Sequence, residues 1–415
     1  MTVVRRGERR DPSAIQACRA TPRPGMKAAG RASPPQFRRR PTIFNLIFAT
    51  PCLIVLARWL SPLSLPFWIK IGVGIVLLAA SQFHFWSRLS SGSIFAPEFP
   101  RAVVIAFNWA FGAIVLLAVL QILLDVGTLA TMLVRGTAGG GVPDGARYAI
   151  GGVAAVLAAI GVFNAVRVPP IKDIAVTING LSPQFEGYRI LQLTDLHISR
   201  LFPERWTRQM VERANAAGAD LIVVTGDFID GSVAMRRRDV APLRDLRAPD
   251  GLYAIPGNHE YFFEYPAWMR HLSELGFKML PNAHAVLARG DGRLVLAGVT
   301  DLSAPGAGQP GPDLTAALAG APRDVPIILL DHQPRQARQA AARGVALQLS
   351  GHTHGGMIAG LDRLVAPANG GFVSGRYSVD GMTLYVSNGT ALWPGFALRL
   401  GRPSELTRIT LHAAR

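Results

Sequence analysis

Apolar and polar positions divide this chain of 415 residues into two regimes. Between Thr42 and Val166 the apolar residues gather into four long runs: Thr42 to Leu60, Ser64 to Trp86, Ala102 to Leu124 and Tyr148 to Val166. Each run holds 19 to 23 residues. At about 1.5 Å per helical residue that length matches a hydrocarbon core roughly 30 Å thick. Buried core helices rarely need four such runs in succession, so the pattern predicts four membrane spans. Lys70 near one end of the second run can snorkel, and Trp68, Trp86 and Trp109 suit an interfacial belt. The third run has the least definite end, because its apolar character continues past Asp125 toward Val134.

After Arg167-Val168-Pro169-Pro170 the pattern becomes that of an alternating α/β domain. Period-two and short continuous apolar runs predict strands at Arg189 to Thr194, Leu221 to Thr225, Leu252 to Ile255, Leu294 to Val299 and Val325 to Leu330. Helical spacing predicts helices at Glu204 to Ala217, Tyr265 to Leu275 and Arg335 to Arg343. Beyond His354 short strands return, including Thr383 to Ser387 and Leu406 to Leu411. The prolines make a stiff exit from the bilayer, and 25 residues separate them from Asp195, so the chemistry is expected close to the membrane surface. The resulting division is a basic tail over residues 1–41, a helical transmembrane region over 42–166 and an α/β domain over 167–415.

Composition sharpens the membrane reading. The mean hydropathy is positive, +0.26, and 49% of residues are hydrophobic. The net charge is +16, and residues 1–41 supply +9 of it through eleven Lys and Arg against two acidic residues. Nucleic-acid binding is not expected, because the tail lacks interleaved aromatic residues beyond Phe37 and no basic recognition module follows. The positive-inside rule accounts for the charge better. With Arg88 and Arg101 on the same side, an even number of spans returns the α/β domain to the cytoplasmic face of a bacterial-type inner (cell) membrane. Two alternatives stay open here: Arg39-Arg40 as a twin-arginine export signal, and Met26 as the start, since the Pro- and Arg-rich segment before it has the composition of disorder. Cys18 and Cys52 leave no disulfide for the α/β domain.

Five short motifs carry the chemistry: Asp195-Leu196-His197, Gly226-Asp227-Phe228-Ile229-Asp230, Gly257-Asn258-His259-Glu260, His332, and Gly351-His352-Thr353-His354. They take five of the chain's nine histidines, each where a strand-forming run stops. Open α/β sheets gather ligands at the carboxyl ends of their strands. Carboxylate, amide oxygen and imidazole together suit Mn, Fe or Zn better than Mg. Asp195 and His197 can point toward one ion, Asp227 can bridge two ions, and Asn258, His332, His352 and His354 complete the shells. Asp230 and Glu260 read as groups that orient ligands. His271, His284 and His412 read as ordinary surface or packing residues, and His84 has no evident partner.

This ordered set resembles the calcineurin-like metallophosphoesterase superfamily, and within it the membrane-associated branch of transmembrane proteins with a metallophosphoesterase domain. Supporting residues are Pro169-Pro170-Ile171-Lys172, Phe185 to Ile190, Gly355-Gly356 and Pro403-Ser404-Glu405. The resemblance covers roughly residues 167–413 and implies a four-layer αββα sandwich. It implies one metal on Asp195, His197, Asp227 and His354, and a second on Asp227, Asn258, His332 and His352, with Mn favoured over Fe or Zn. It further implies that His259 is no ligand but contacts a phosphate oxygen or protonates the leaving alkoxide. Met357 departs from the Gln that relatives often carry there. The segments Ser303 to Pro312 and Met357 to Phe372 read as pocket rims, and Trp393 as an apolar wall.

The expected function is hydrolysis of a phosphodiester or pyrophosphate in a lipid-linked substrate. Relatives in this branch that cleave UDP-2,3-diacylglucosamine in lipid A synthesis give one specific example. A broad phosphodiesterase with another substrate, and a non-catalytic metal-bound scaffold or sensor, are the alternatives. A transporter is disfavoured, since the runs hold no mid-span acidic residue or paired charges.

Overall fold

The computed structural model describes residues 41–136 and 142–414, and these belong to one compact unit that begins at Arg39. The basic tail, with Cys18, Met26 and the Arg39-Arg40 pair, lies outside the described residues.

The first apolar run forms helix α1, Pro41–Ile54, which continues as a π-helical stretch, Val55–Leu60. The second run is not one straight helix. It breaks at Gln82 (φ −92°, ψ 27°) into α2, Phe67–Ser81, and α3, Phe83–Ser91, which meet at 53°. Ser81 Oγ donates to the Leu78 carbonyl at the end of α2. The third run becomes α4, Arg101–Arg135, which at 35 residues is about 52 Å long. It therefore carries Asp125 inside a helix, where it pairs with Arg58 at 2.9 Å, a pair the apolar pattern did not anticipate. The fourth run is α5, Asp144–Val166. By length and composition α4 and α5 can each cross a membrane, and the bent α2–α3 pair makes a third candidate span. Their outward faces carry exposed Trp68, Ile75, Leu123, Val126 and Phe163.

Two six-stranded sheets make up the rest. The first contains β1 (Ile171–Ile178), β2 (Arg189–Leu193), β3 (Leu221–Thr225), β4 (Leu252–Ile255), β5 (Lys278–Met279) and β12 (Leu406–Ala413), ordered β1-β12-β2-β3-β4-β5. The second contains β6 (Ala283–Arg289), β7 (Gly292–Gly298), β8 (Ile327–Leu330), β9 (Leu347–Ser350), β10 (Gly375–Val379) and β11 (Met382–Val386), ordered β10-β11-β9-β8-β7-β6. The central strands β2-β3-β4 and β7-β8-β9 run parallel. Parallel strands covered on both faces read as continuous apolar runs, and β3 shows why. Leu221 and Val223 enter the core between the sheets, while Ile222 and Val224 face helix α6, Glu204–Ala216, and its neighbours. In the second sheet Leu294 and Leu296 point inward, whereas Val295 and Ala297 pack under the outer helices. The layers thus run helix, sheet, sheet, helix.

The strands that period-two patterning left out are β1, the short β5, β6, β9 and β10. Lys172 on β1 and Glu405 beside β12 form an ion pair at 2.7 Å, which joins two of the peripheral sequence signatures.

The helical region and the sheets share a core. Phe83, Val104 and Ala165 lie in the same buried cluster as Trp206, Met210 and Leu406. The segment from Trp393 to Gly401 is seated between α4 and α5, with Leu398 against Ala158 and Val162. Asn108, buried in α4, accepts the Ala397 N–H at 2.6 Å and donates to the Pro394 carbonyl at 2.9 Å. Replacing Asn108 by Leu strands both backbone groups and is expected to cost about 2 to 4 kcal/mol. Thermal unfolding in detergent reads this as a lower melting temperature, and an unchanged one would contradict the seat.

Candidate metal centre

Four of the motif residues stand two positions beyond a strand: Asp195 after β2, Asp227 after β3, His332 after β8 and His352 after β9. Asn258 stands three beyond β4 and opens the short helix Asn258–Phe262. The loops after β2 and β3 run side by side, with Asp195 N–H on Gly226 O at 3.0 Å and His197 N–H on Asp227 O at 3.1 Å. Gly226 (φ +94°) lies against the Gly257 backbone, so a Cβ there would collide with it. Asp195, His197, Asp227, His352 and His354 all adopt left-handed backbone conformations, with φ between 41° and 69°. Such conformations cost about 1 to 3 kcal/mol each in non-glycine residues, and here five of them converge on one place.

The side chains form two trios, Asp195-His197-His354 and Asp227-His332-His352, in each of which the potential ligand atoms lie within 4.8 Å of one another. Asp227 Oδ2 stands between them, 3.7 Å from His197 Nε2 and 3.3 Å from His332 Nε2. Asn258 Oδ1 is 3.1 Å from His332 Nε2. Apart from His352, these residues are buried.

The tautomers fit cations. His332 Nδ1 sits 2.7 Å from the Thr225 carbonyl, which only accepts, so Nδ1 carries the proton. Its Nε2 then points at the Asp227 and Asn258 oxygens, the direction in which a cation would be held. Asp230 takes His197 Nδ1 at 3.1 Å and also His259 Nδ1, which again leaves both Nε2 atoms toward the cluster. His197 Nε2 and His354 Nε2 stand 3.3 Å apart. Such a set fits two divalent ions, with Asp227 shared.

Electrostatics point the same way. Burial is the largest influence on Asp227, yet the charges of His332 and His259 hold its carboxyl well below the usual range. Burial lowers the His259 imidazole, but Asp227 and Asp230 outweigh it and push the pKa up to about 9. Burial and then His332 take His352 down to about 3. Positive charge is thus favoured at His259 beside Asp227 and Asp230, while at His352 burial outweighs the pull of Asp227.

Glu260 acts through the backbone: its carboxylate accepts the N–H groups of Asp227 (3.1 Å), Phe228 (2.8 Å) and Gly257 (2.7 Å). Glu260→Ala is expected to weaken metal binding roughly 10- to 100-fold, as losses of ligand-orienting groups do. Calorimetric metal titration checks this, and wild-type affinity would count against it.

A family model for calcineurin-like phosphoesterases matches residues 188–356. Transmembrane proteins with a metallophosphoesterase domain are similar over 63% of this chain: the Danio rerio protein at 34% identity and the Bos taurus protein at 35%. The chain spans 62% and 61% of those two relatives. An uncharacterised metallophosphoesterase of Bacillus subtilis is 32% identical over 234 residues, 55% of this chain and 80% of that protein. The chain belongs to the calcineurin-like metallophosphoesterase family.

In this metallophosphoesterase the helical region contributes to the wall of the centre, which the sequence did not reveal. Phe95, in the loop between α3 and α4, stands edge-on to His259 at 5.2 Å, stacks on Phe262 at 5.1 Å and reaches Trp393 at 5.7 Å. Glu98 fixes that loop to the sheet domain through Arg200 and the buried Arg236. Phe95 precedes His259 by 164 residues, and no local pattern links them. Arg399 was also missed: buried beneath the centre, it donates to the carbonyls of His354 (2.9 Å), Ala391 (3.1 Å) and Arg402 (3.1 Å). Its only sequence mark is a charge between Leu398 and Leu400.

Other expectations resolve simply. His271 meets Glu274, His284 meets the Ala317 carbonyl and His412 meets Glu186. His84 packs among Phe48, Phe111 and Trp393. The two segments expected as rims hold short helical turns, Ala304–Ala307 and Asp362–Val365.

Proposed function

We propose that this metallophosphoesterase hydrolyses a phosphodiester or pyrophosphate at a centre of two divalent ions, Mn above Fe or Zn. Asp195, His197, Asp227 and His354 would hold one ion, and Asp227, Asn258, His332 and His352 the other. What carries the reading is the convergence of both trios on one oxygen, Asp227 Oδ2, with His259 Nε2 4.0 Å from it. When bound, the ions supply Lewis-acid polarisation of the phosphoryl group and activation of water. The chain's own residues do the rest. Asp230 holds the His259 ring through Nδ1, so that Nε2 is the nitrogen that donates a proton to the leaving oxygen.

The substrate in this proposal is lipid-linked, and the protein is a multi-pass protein of a bacterial-type inner membrane. Four spans between residues 42 and 166 would return the 167–415 domain to the cytoplasmic side. The support for an apolar substrate portion is the aromatic wall of Phe95, Phe262 and Trp393 beside His259. Full-length protein in detergent with Mn is expected to turn over an aryl phosphodiester and, faster, a lipid-linked pyrophosphate such as UDP-2,3-diacylglucosamine. Absence of turnover with every divalent metal would overturn the hydrolase reading. Phe95→Ala is expected to lower kcat/KM for an acylated substrate, relative to an aryl phosphodiester, roughly tenfold, the equivalent of about 1.4 kcal/mol of ring contact. An unchanged ratio would remove the wall from the substrate site.

A further inference from the structure

Away from the metal centre, an open groove of about 870 Å³ lies where α4 begins and α5 ends. Arg101, Arg167, Arg205 and Arg213 line it, with Trp206 as part of its wall and Glu212 as its one carboxylate. Among the described residues none of these four arginines forms an ion pair, whereas Arg236, Arg289 and Arg408 elsewhere on the domain all do. The groove therefore keeps an excess of three positive charges that no side chain of the described structure answers.

Two of the guanidinium groups are pinned from behind by carbonyls. Arg101 Nε donates to Leu201 O at 2.9 Å, and Arg213 Nη1 donates to Val168 O at 2.8 Å and Pro169 O at 3.0 Å. Their remaining N–H groups stay available. Arg205 and Arg213 are eight residues apart on α6 and so share one face of it. On the other side the groove meets Val166 at the end of α5, and Phe163, one turn back along that helix, is 65% exposed. Fixed cationic donors thus border a lipid-facing apolar helix surface, at the level where both helices leave the apolar zone.

We propose that this groove binds the phosphate of an anionic phospholipid of the surrounding bilayer, and so ties the sheet domain to the membrane at the roots of α4 and α5. Arginine suits a phosphate through its planar set of donors. Basic pockets between membrane helices are a recurring way of holding such headgroups.

The test uses the full chain in neutral detergent micelles, with lipid retention measured by native mass spectrometry against phosphatidylglycerol, phosphatidylcholine and inorganic phosphate. Wild-type protein is expected to retain phosphatidylglycerol in preference to phosphatidylcholine. The double variant Arg167→Gln/Arg205→Gln, which removes no side-chain hydrogen bond among the described residues, is expected to bind phosphatidylglycerol roughly 25-fold more weakly, about fivefold for each arginine. Arg237→Gln/Arg338→Gln, exposed arginines elsewhere, carries the same charge change and is expected to bind as wild type. The proposal is overturned by equal retention of the two lipids, or by an equal loss in both double variants. It is also overturned if inorganic phosphate binds in the groove and phosphatidylglycerol fails to displace it, which would make the ligand a free anion.

Discussion

Asp227→Ala is expected to empty both metal positions at once and to lower turnover of an aryl phosphodiester by roughly 10³-fold or more, since several kcal/mol of charge stabilisation are lost together. The geometry singles this residue out among the seven proposed ligands. Its Oδ2 is within 3.7 Å of an imidazole from each trio, while its Oδ1 accepts the His259 N–H at 2.8 Å. Removing an outer residue such as His354 leaves three donors for one ion and all four for the other. Removing Asp227 takes a donor from each and frees the loop that presents His259. Elemental analysis of purified variants makes the comparison: Asp227→Ala should carry neither ion and His354→Ala should keep one. An Asp227→Ala protein that retains a full complement would show that this carboxylate does not bridge.

His259→Ala is expected to behave in the opposite way, with metal content intact and turnover reduced roughly 10²- to 10⁴-fold, the range for loss of a general acid. Its ring is anchored at Nδ1 by Asp230, and its Nε2 faces the cluster without belonging to either principal trio. His197, Asp230 and His259 do form a third close group, so an ion bound there is a concrete competitor. In that case His259→Ala would lose metal, and the proton-donor role would fall. Asp230→Asn adds a second discrimination. Because Asp230 serves both His197 and His259, its loss should weaken one ion and slow the chemistry together, a combination that neither histidine variant gives alone. A leaving group of low pKa, which needs no proton, should restore most of the rate to His259→Ala.

Much of the sheet domain was legible because its central strands are buried on both faces. Leu221–Thr225 and Leu252–Ile255 end in the structure where the apolar runs end. Edge elements were less visible. β1 alternates only loosely, and two-residue β5 carries no pattern at all. The bend at Gln82 was hidden because the apolar run continues through it. The continuation of α4 past Asp125 was visible as an apolar run without a definite end, but the partner that lets Asp125 sit inside the helix, Arg58 of a neighbouring helical segment, was not. A charge that finds a partner across space leaves no trace in the local sequence.

The sequence by itself determined the residue types of the proposed centre, their order and their place just beyond strand ends, because ligand chemistry is local and motif spacing is short. It also determined that a long apolar helical region precedes the α/β domain. Tertiary structure alone decided that Asp227 Oδ2 lies within 3.7 Å of an imidazole from each trio, that Asp230 meets two histidines and that Glu260 gathers three backbone donors. These contacts join loops from different strands, and no local sequence pattern specifies which loops meet. It alone decided that Phe95 of the helical region borders His259 and that four arginines without an ion pair among the described residues line one groove. Those neighbours are distant in sequence, and only the packing of α4 and α5 against the first sheet brings them together.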